Sequence, residues 1–154
     1  MIHSAEGAKM YDERMTEGEI RQALVELIAE SVGVQATEVL PGTDIEHDLG
    51  CVGDDFHELM DAYSTRFKVD MNDYRWYFHT QEEGMNLGSM DFPPPNDRVE
   101  RIPVTPALLA KFAVQGSWGV AYPAHDLPEH RLDLTLNRVL LLLVVAWVIY
   151  WLLR

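Results

Sequence analysis

A mainly α-helical fold, a small helical bundle followed by one C-terminal hydrophobic helix, is predicted by three observations. Two segments show the apolar spacing of an amphipathic helix between a side-chain cap and a closing glycine. Residues 48–67 run a tight glycine turn into a third such helix. The run 139–153 contains no charge.

The first helix starts at Thr16-Glu17-Gly18-Glu19, a capping box in which hydroxyl and carboxylate each satisfy a free amide. Ile20, Ala23, Leu24, Leu27, Ile28 and Val32 form its buried stripe, and Gly33 is placed to end it. The preceding residues 1–15 are polar and mixed, without the apolar core of a signal peptide, and are expected to be a flexible lead-in. Residues 34–48 hold Pro41-Gly42 and no sustained period, so they form a long loop that Val39, Leu40, Ile45 and Leu49 can pin to the helices.

In the stretch 48–67, Gly50 and Gly53 permit a sharp backbone turn, and Asp54 or Asp55 is placed to cap the helix that follows. Phe56, Leu59, Met60, Tyr63 and Phe67 make one apolar stripe, while Asp55, Glu58, Asp61 and Ser64 take the other face. Tyr74, Trp76, Tyr77 and Phe78 then form an aromatic cluster, which suits core packing or an exposed partner surface. Residues 81–103 contain Pro93-Pro94-Pro95 and no period, and are expected to be an irregular insertion or a short two-stranded element. Thr105-Pro106 caps a third main helix with Leu108, Leu109, Phe112 and Ala113 inward and Gly116 at its end, and Trp118 is placed to close the core. The expected core therefore includes Leu24, Leu27, Ile28, Leu49, Phe56, Leu59, Phe67, Leu109 and Phe112.

The turn D-L-G at Asp48, Leu49 and Gly50, followed by an acidic helix carrying the pair Glu58-Leu59, resembles the acyl and peptidyl carrier proteins. The carrier pattern there is D-L-G-x-D-S-L. Gly53 stands at the position of the serine that carriers esterify with 4'-phosphopantetheine, flanked by Val52 and Asp54. Glycine offers no hydroxyl, so no phosphopantetheine or other cofactor is expected. The chain is most similar, over residues 16–119, to a small bacterial family of unknown function that is carrier-like but has G-D-D in this place. The resemblance implies an acyl-carrier-like helical domain that docks partners through its acidic central helix, at Asp54, Asp55, Glu58 and Asp61.

A net charge of -13 argues against nucleic acid, whose phosphates need a basic patch, and favours a basic protein partner. The one cysteine, Cys51, excludes an intramolecular disulfide and is expected to be a buried small side chain rather than a reactive thiol. Asp54, Asp55, His57 and Glu58 are residue types of a metal site, but a solvated acidic helix end explains them more simply. His125, Asp126 and His130 lie where no motif supplies a nucleophile, and there is no phosphate-binding glycine loop.

Residues 120–135 are expected to link the domain to a membrane-spanning tail helix at 136–153. A helix apolar on every side belongs in a large core or in lipid, and the domain is too small to bury it. An interfacial helix or an oligomer-forming helix are the alternatives. The fifteen uncharged residues 139–153 reach only about 22 Å, so a crossing must recruit Leu136 and let Asn137, Arg138 and Arg154 snorkel. Trp147, Tyr150 and Trp151 suit an aromatic belt, and the basic residues before the run predict a cytoplasmic domain; the resemblance to a bacterial family implies that the membrane is a bacterial inner membrane.

Three functions fit these features: a non-catalytic, membrane-anchored interaction module; an unconventional carrier or decoy that engages acyl-processing enzymes; and a small metal-dependent enzyme.

Overall fold

The computed structural model describes residues 15–84 and 86–154; the expected lead-in falls almost wholly outside them. Four α-helices carry the fold: α1 Glu17–Val32, α2 Gly53–Phe67, α3 Pro106–Gln115 and α4 Leu132–Leu153. Among the described residues there is no strand, and single 3-10 turns punctuate the long connections.

Helices α1 and α3 form where local chemistry demands. The Thr16 amide donates to Glu19 Oε2 at 2.7 Å and the Glu19 amide donates to Thr16 Oγ1 at 3.3 Å, completing the capping box. The Thr16 hydroxyl, which donates to Glu19 Oε2 at 2.7 Å, and then the Thr16 amide hold the exposed Glu19 carboxyl below its ordinary pKa. At α3 the Leu108 amide donates to Thr105 Oγ1, Pro106 occupies the first turn, and Gly116 closes the helix at φ 81°.

Helices α2 and α3 pack against α1, around a core in which Leu24, Ile28, Phe56, Leu59, Tyr63, Leu109 and Phe112 are all but inaccessible to solvent. The Tyr63 hydroxyl donates to the Leu109 carbonyl at 2.8 Å, tying α2 to α3 inside that core. Trp118 is buried and closes one end. Leu49 and Phe67 reach this core only at its edge, half-buried. In the long first loop Val39 and Ile45 are buried pins, but Leu40 projects into solvent while its amide donates to Thr43 Oγ1.

Arg101 fastens the same loop to the segment before α3. It forms a close two-pronged contact with Asp44 and lies 3.0 Å from the buried Glu46 Oε2. Burial opposes the Asp44 charge, but the Arg101 guanidinium and the amides of His47 and Glu46 prevail and hold its carboxyl below the usual range.

The insertion, expected to be irregular or two-stranded, is irregular. Just ahead of it stands His79, which is fully buried. The Tyr122 hydroxyl accepts from Trp118 Nε1 at 2.7 Å and from the Arg75 amide at 3.1 Å, so its own proton is directed to His79 Nε2 at 2.8 Å. His79 Nδ1 then carries the ring proton and donates to the Ile102 carbonyl at 2.8 Å. Tyr74 stacks on the imidazole at 5.4 Å. Tyr122 thus belongs to the domain rather than to a polar linker, and α4 starts at Leu132, inside the expected linker 120–135 and ahead of the expected start at 136.

Two outcomes follow for stability. Leu59 is 1% exposed, so Leu59→Ala should lower the unfolding free energy by about 2 to 5 kcal/mol, read by denaturant titration. Burial, reinforced by the Arg101 charge, depresses the His79 pKa from 6.5 to about 4. The unfolded chain therefore takes up a proton that the fold refuses, and stability should fall by about 3 kcal/mol as pH drops from 6.5 to 4. In His79→Gln, compared with the parent, that part of the slope should vanish.

Candidate functional site: the start and acidic face of α2

The expected cap of α2 is not an aspartate. Val52 holds the cap position and contributes no side-chain bond, while the Gly53 amide donates to Thr80 Oγ1 at 3.1 Å across 27 residues of sequence. A remote hydroxyl has displaced the local carboxylates because residues 80–83 fold over the start of the helix. Asp54 and Asp55 lie instead in its first turn, where negative charge favours the amide end of the helix dipole.

Gly53 is buried, at φ 53°, and a β-carbon added there would collide with the Glu83 side chain. The left-handed backbone favours glycine and the close approach of Glu83 leaves little room for anything larger. The position that the carrier resemblance aligns with the modified serine is therefore enclosed by the chain itself. Beneath it, Cys51 is buried, and burial together with the carboxylates of Asp55, Glu46 and Glu83 pushes its thiol up to about 11. At neutral pH it is a protonated core side chain.

Asp54, Asp55, Glu58 and Asp61 are all exposed. At 100° per residue they fall within an arc of about 120°, opposite the stripe of Phe56, Leu59, Met60 and Tyr63. None of the four forms an ion pair among the described residues. His57 flanks this arc and meets Trp76 edge-on at 5.6 Å. Among the described residues no three His, Cys, Asp or Glu side chains converge to hold a metal ion.

The aromatic cluster divides. Phe78 is core, whereas Trp76 and Tyr77 are half-buried beside His57 and His125, so an aromatic edge borders the acidic face. The sequence signals the aromatic segment but not its place at that border, which depends on the path of the chain after α2.

A second polar assembly joins the same insertion to α4. Arg131 bonds both carboxylate oxygens of Glu82, at 2.6 and 2.8 Å, and both of Asp133, at 2.9 and 2.6 Å. Asn86 Nδ2 donates to Asp133 Oδ2 at 2.8 Å, Asn137 Nδ2 donates to Asn86 Oδ1 at 2.7 Å, and the Gly88 amide donates to Asn137 Oδ1 at 2.9 Å. A β-carbon at Gly88 would strike the Asp133 backbone, so only glycine permits this seat. Beyond it, α4 is exposed along its length and is long and apolar enough to cross a membrane.

Residues 17–119 match the model of one protein family, described as "Protein of unknown function (DUF1493)". No curated protein and no solved structure matches the chain.

The geometry at Gly53 sets the outcome of replacing it. Gly53→Ser should destabilise the fold by at least about 1–2 kcal/mol from the left-handed backbone alone, with Glu83 displaced in addition. A melt unchanged from the parent's would overturn both the left-handed backbone at Gly53 and the closure of residues 80–83 over α2.

Proposed function

The chain belongs to the DUF1493 family of proteins of unknown function, and from that premise we propose that it is a non-catalytic, membrane-anchored interaction module. Its acidic α2 face docks a basic protein partner, and α4 holds it in a bacterial inner membrane with the domain on the cytoplasmic side.

The observation that carries this reading is the set Asp54, Asp55, Glu58 and Asp61: four exposed carboxylates in one arc, none neutralised by a described cation. A surface of that kind steers and orients a basic partner through long-range attraction, which salt weakens. Trp76 at the border supplies the apolar anchor that charge alone lacks. For the anchor, burying the side chains of residues 139–153 at roughly 25 cal/mol per Å² outweighs the desolvation of the helix ends. Charge attraction to the bilayer is not the cause, because an acidic domain is repelled by anionic headgroups.

The carrier-like turn ahead of α2 supports a second, related reading, in which the face engages acyl-processing enzymes as a decoy. The enclosure of Gly53 disfavours a carrier that is itself loaded.

Alkaline carbonate should leave the full chain in the membrane, while a chain stopped at Arg138, which keeps Asp133 and Asn137, should be soluble. Val145→Arg should weaken insertion by about 3 kcal/mol. A soluble oligomer of the full chain would instead make α4 an assembly helix. Proteins captured with the parent from detergent-solubilised membranes should be lost when Asp54, Glu58 and Asp61 are changed together to Lys, and should elute as salt rises. Retention of the same set by that variant would remove the acidic face from the mechanism.

A further inference from the structure

We propose that the turn Leu87–Met90 and the two residues after it form a second membrane contact, a collar of apolar side chains that enters the bilayer interface around the base of α4. The inference rests on the membrane reading of α4.

The first argument is length. The uncharged run 139–153 spans about 22 Å at 1.5 Å per residue, against a hydrocarbon layer of about 30 Å. The missing 8 Å corresponds to about five more residues, 134–138. Crossing the layer therefore draws the base of α4 down to the lipid boundary, where Asn137 and Asp133 would face an environment that does not solvate them.

The second argument is what satisfies those two residues. Asp133, 2% exposed, is bonded by Asn86 and Arg131, and Asn137 is bonded by Asn86 and the Gly88 amide. The turn that carries Asn86 and Gly88 is thereby fixed at the depth of residues 133–137. It cannot stand off from the membrane while α4 spans it.

The third argument is what the turn leaves outward. Leu87 is 55% exposed, Met90 84% and Phe92 37%, all within six residues, and Leu132 and Leu134 are exposed beside them at the base of α4. Elsewhere outside α4, among the described residues, the exposed large apolar side chains Met15, Leu40 and Val114 are scattered singly. A clustered apolar edge continuous with a spanning helix fits the interface, where apolar side chains are partly removed from water and neighbouring polar groups stay wet. Asp91 and Arg98 are exposed next to this edge and remain in the headgroup layer, with the Arg98 guanidinium bonded to the Pro93 carbonyl at 2.7 Å.

The test uses the full chain with Cys51→Ala and one new cysteine at a time, Met90→Cys, Val114→Cys or Val145→Cys. Each is labelled with an environment-sensitive fluorophore and reconstituted into phosphatidylcholine–phosphatidylglycerol vesicles. Lipids bearing a shallow or a deep nitroxide and aqueous iodide serve as quenchers. Support is quenching of the Met90 label by the shallow nitroxide at least twofold above that of Val114, which iodide quenches, with Val145 quenched by the deep nitroxide. Met90 behaving as Val114 while Val145 is quenched overturns the collar alone. Loss of lipid quenching at Val145 itself overturns the membrane reading, and the collar with it.

Discussion

A carboxylate buried in the first turn of a largely apolar helix must be neutralised and hydrogen-bonded, or the helix end cannot stay where it is. Asp133 is that carboxylate. Arg131 supplies the opposite charge, and through its second fork to Glu82 it brings residues 82–88 to α4. Taking Arg131 away strands the buried Asp133 carboxylate, which costs far more than the net worth of the pair. The attachment of the apolar helix to the domain therefore depends on polar chemistry, although the domain itself is held together by apolar burial.

The insertion is what makes that attachment possible. It leaves the core at His79, anchored by Ile102 and Tyr122, covers the start of α2 through Thr80 and Glu83, and reaches α4 through Glu82, Asn86 and Gly88. One irregular stretch thus joins the helix that bears the acidic face to the helix that bears the apolar surface. Its lack of periodicity is the physical condition for this. A regular helix would spend its amides on itself, whereas these amides and short side chains are free to satisfy two distant helix ends.

Where the signals were local, the sequence was legible. The capping box at Thr16, the Thr105-Pro106 start and the closing glycines of α1 and α3 act within four residues, and each lies where the spacing put it. The exposure of Asp54, Asp55, Glu58 and Asp61 was legible too, since it follows from the stripe on the opposite face of α2. The cap of α2 was not, because the hydroxyl that meets its first amide, that of Thr80, is 27 residues away. Polarity made residues 132–135 resemble a linker, when Asp133 is polar in order to meet Asn86 inside a helix. The pairing of Tyr122 with His79 across 43 residues left no trace in spacing at all.

The seat at the foot of α4 also makes the angle of that helix a property of the domain. A helix on a flexible tether changes its tilt alone when the surrounding layer thickens or thins. Here Gly88 sits against the Asp133 backbone and Asn137 is bonded on the next turn, so two successive turns are clamped and a rotation of the axis has to carry the domain with it. With α4 in a bilayer, the mismatch between its apolar length and the layer's thickness, ordinarily relieved by tilt at a fraction of a kcal/mol per Å, becomes a lever. Lipid composition would then set the attitude at which the carboxylates of α2 are presented above the headgroups.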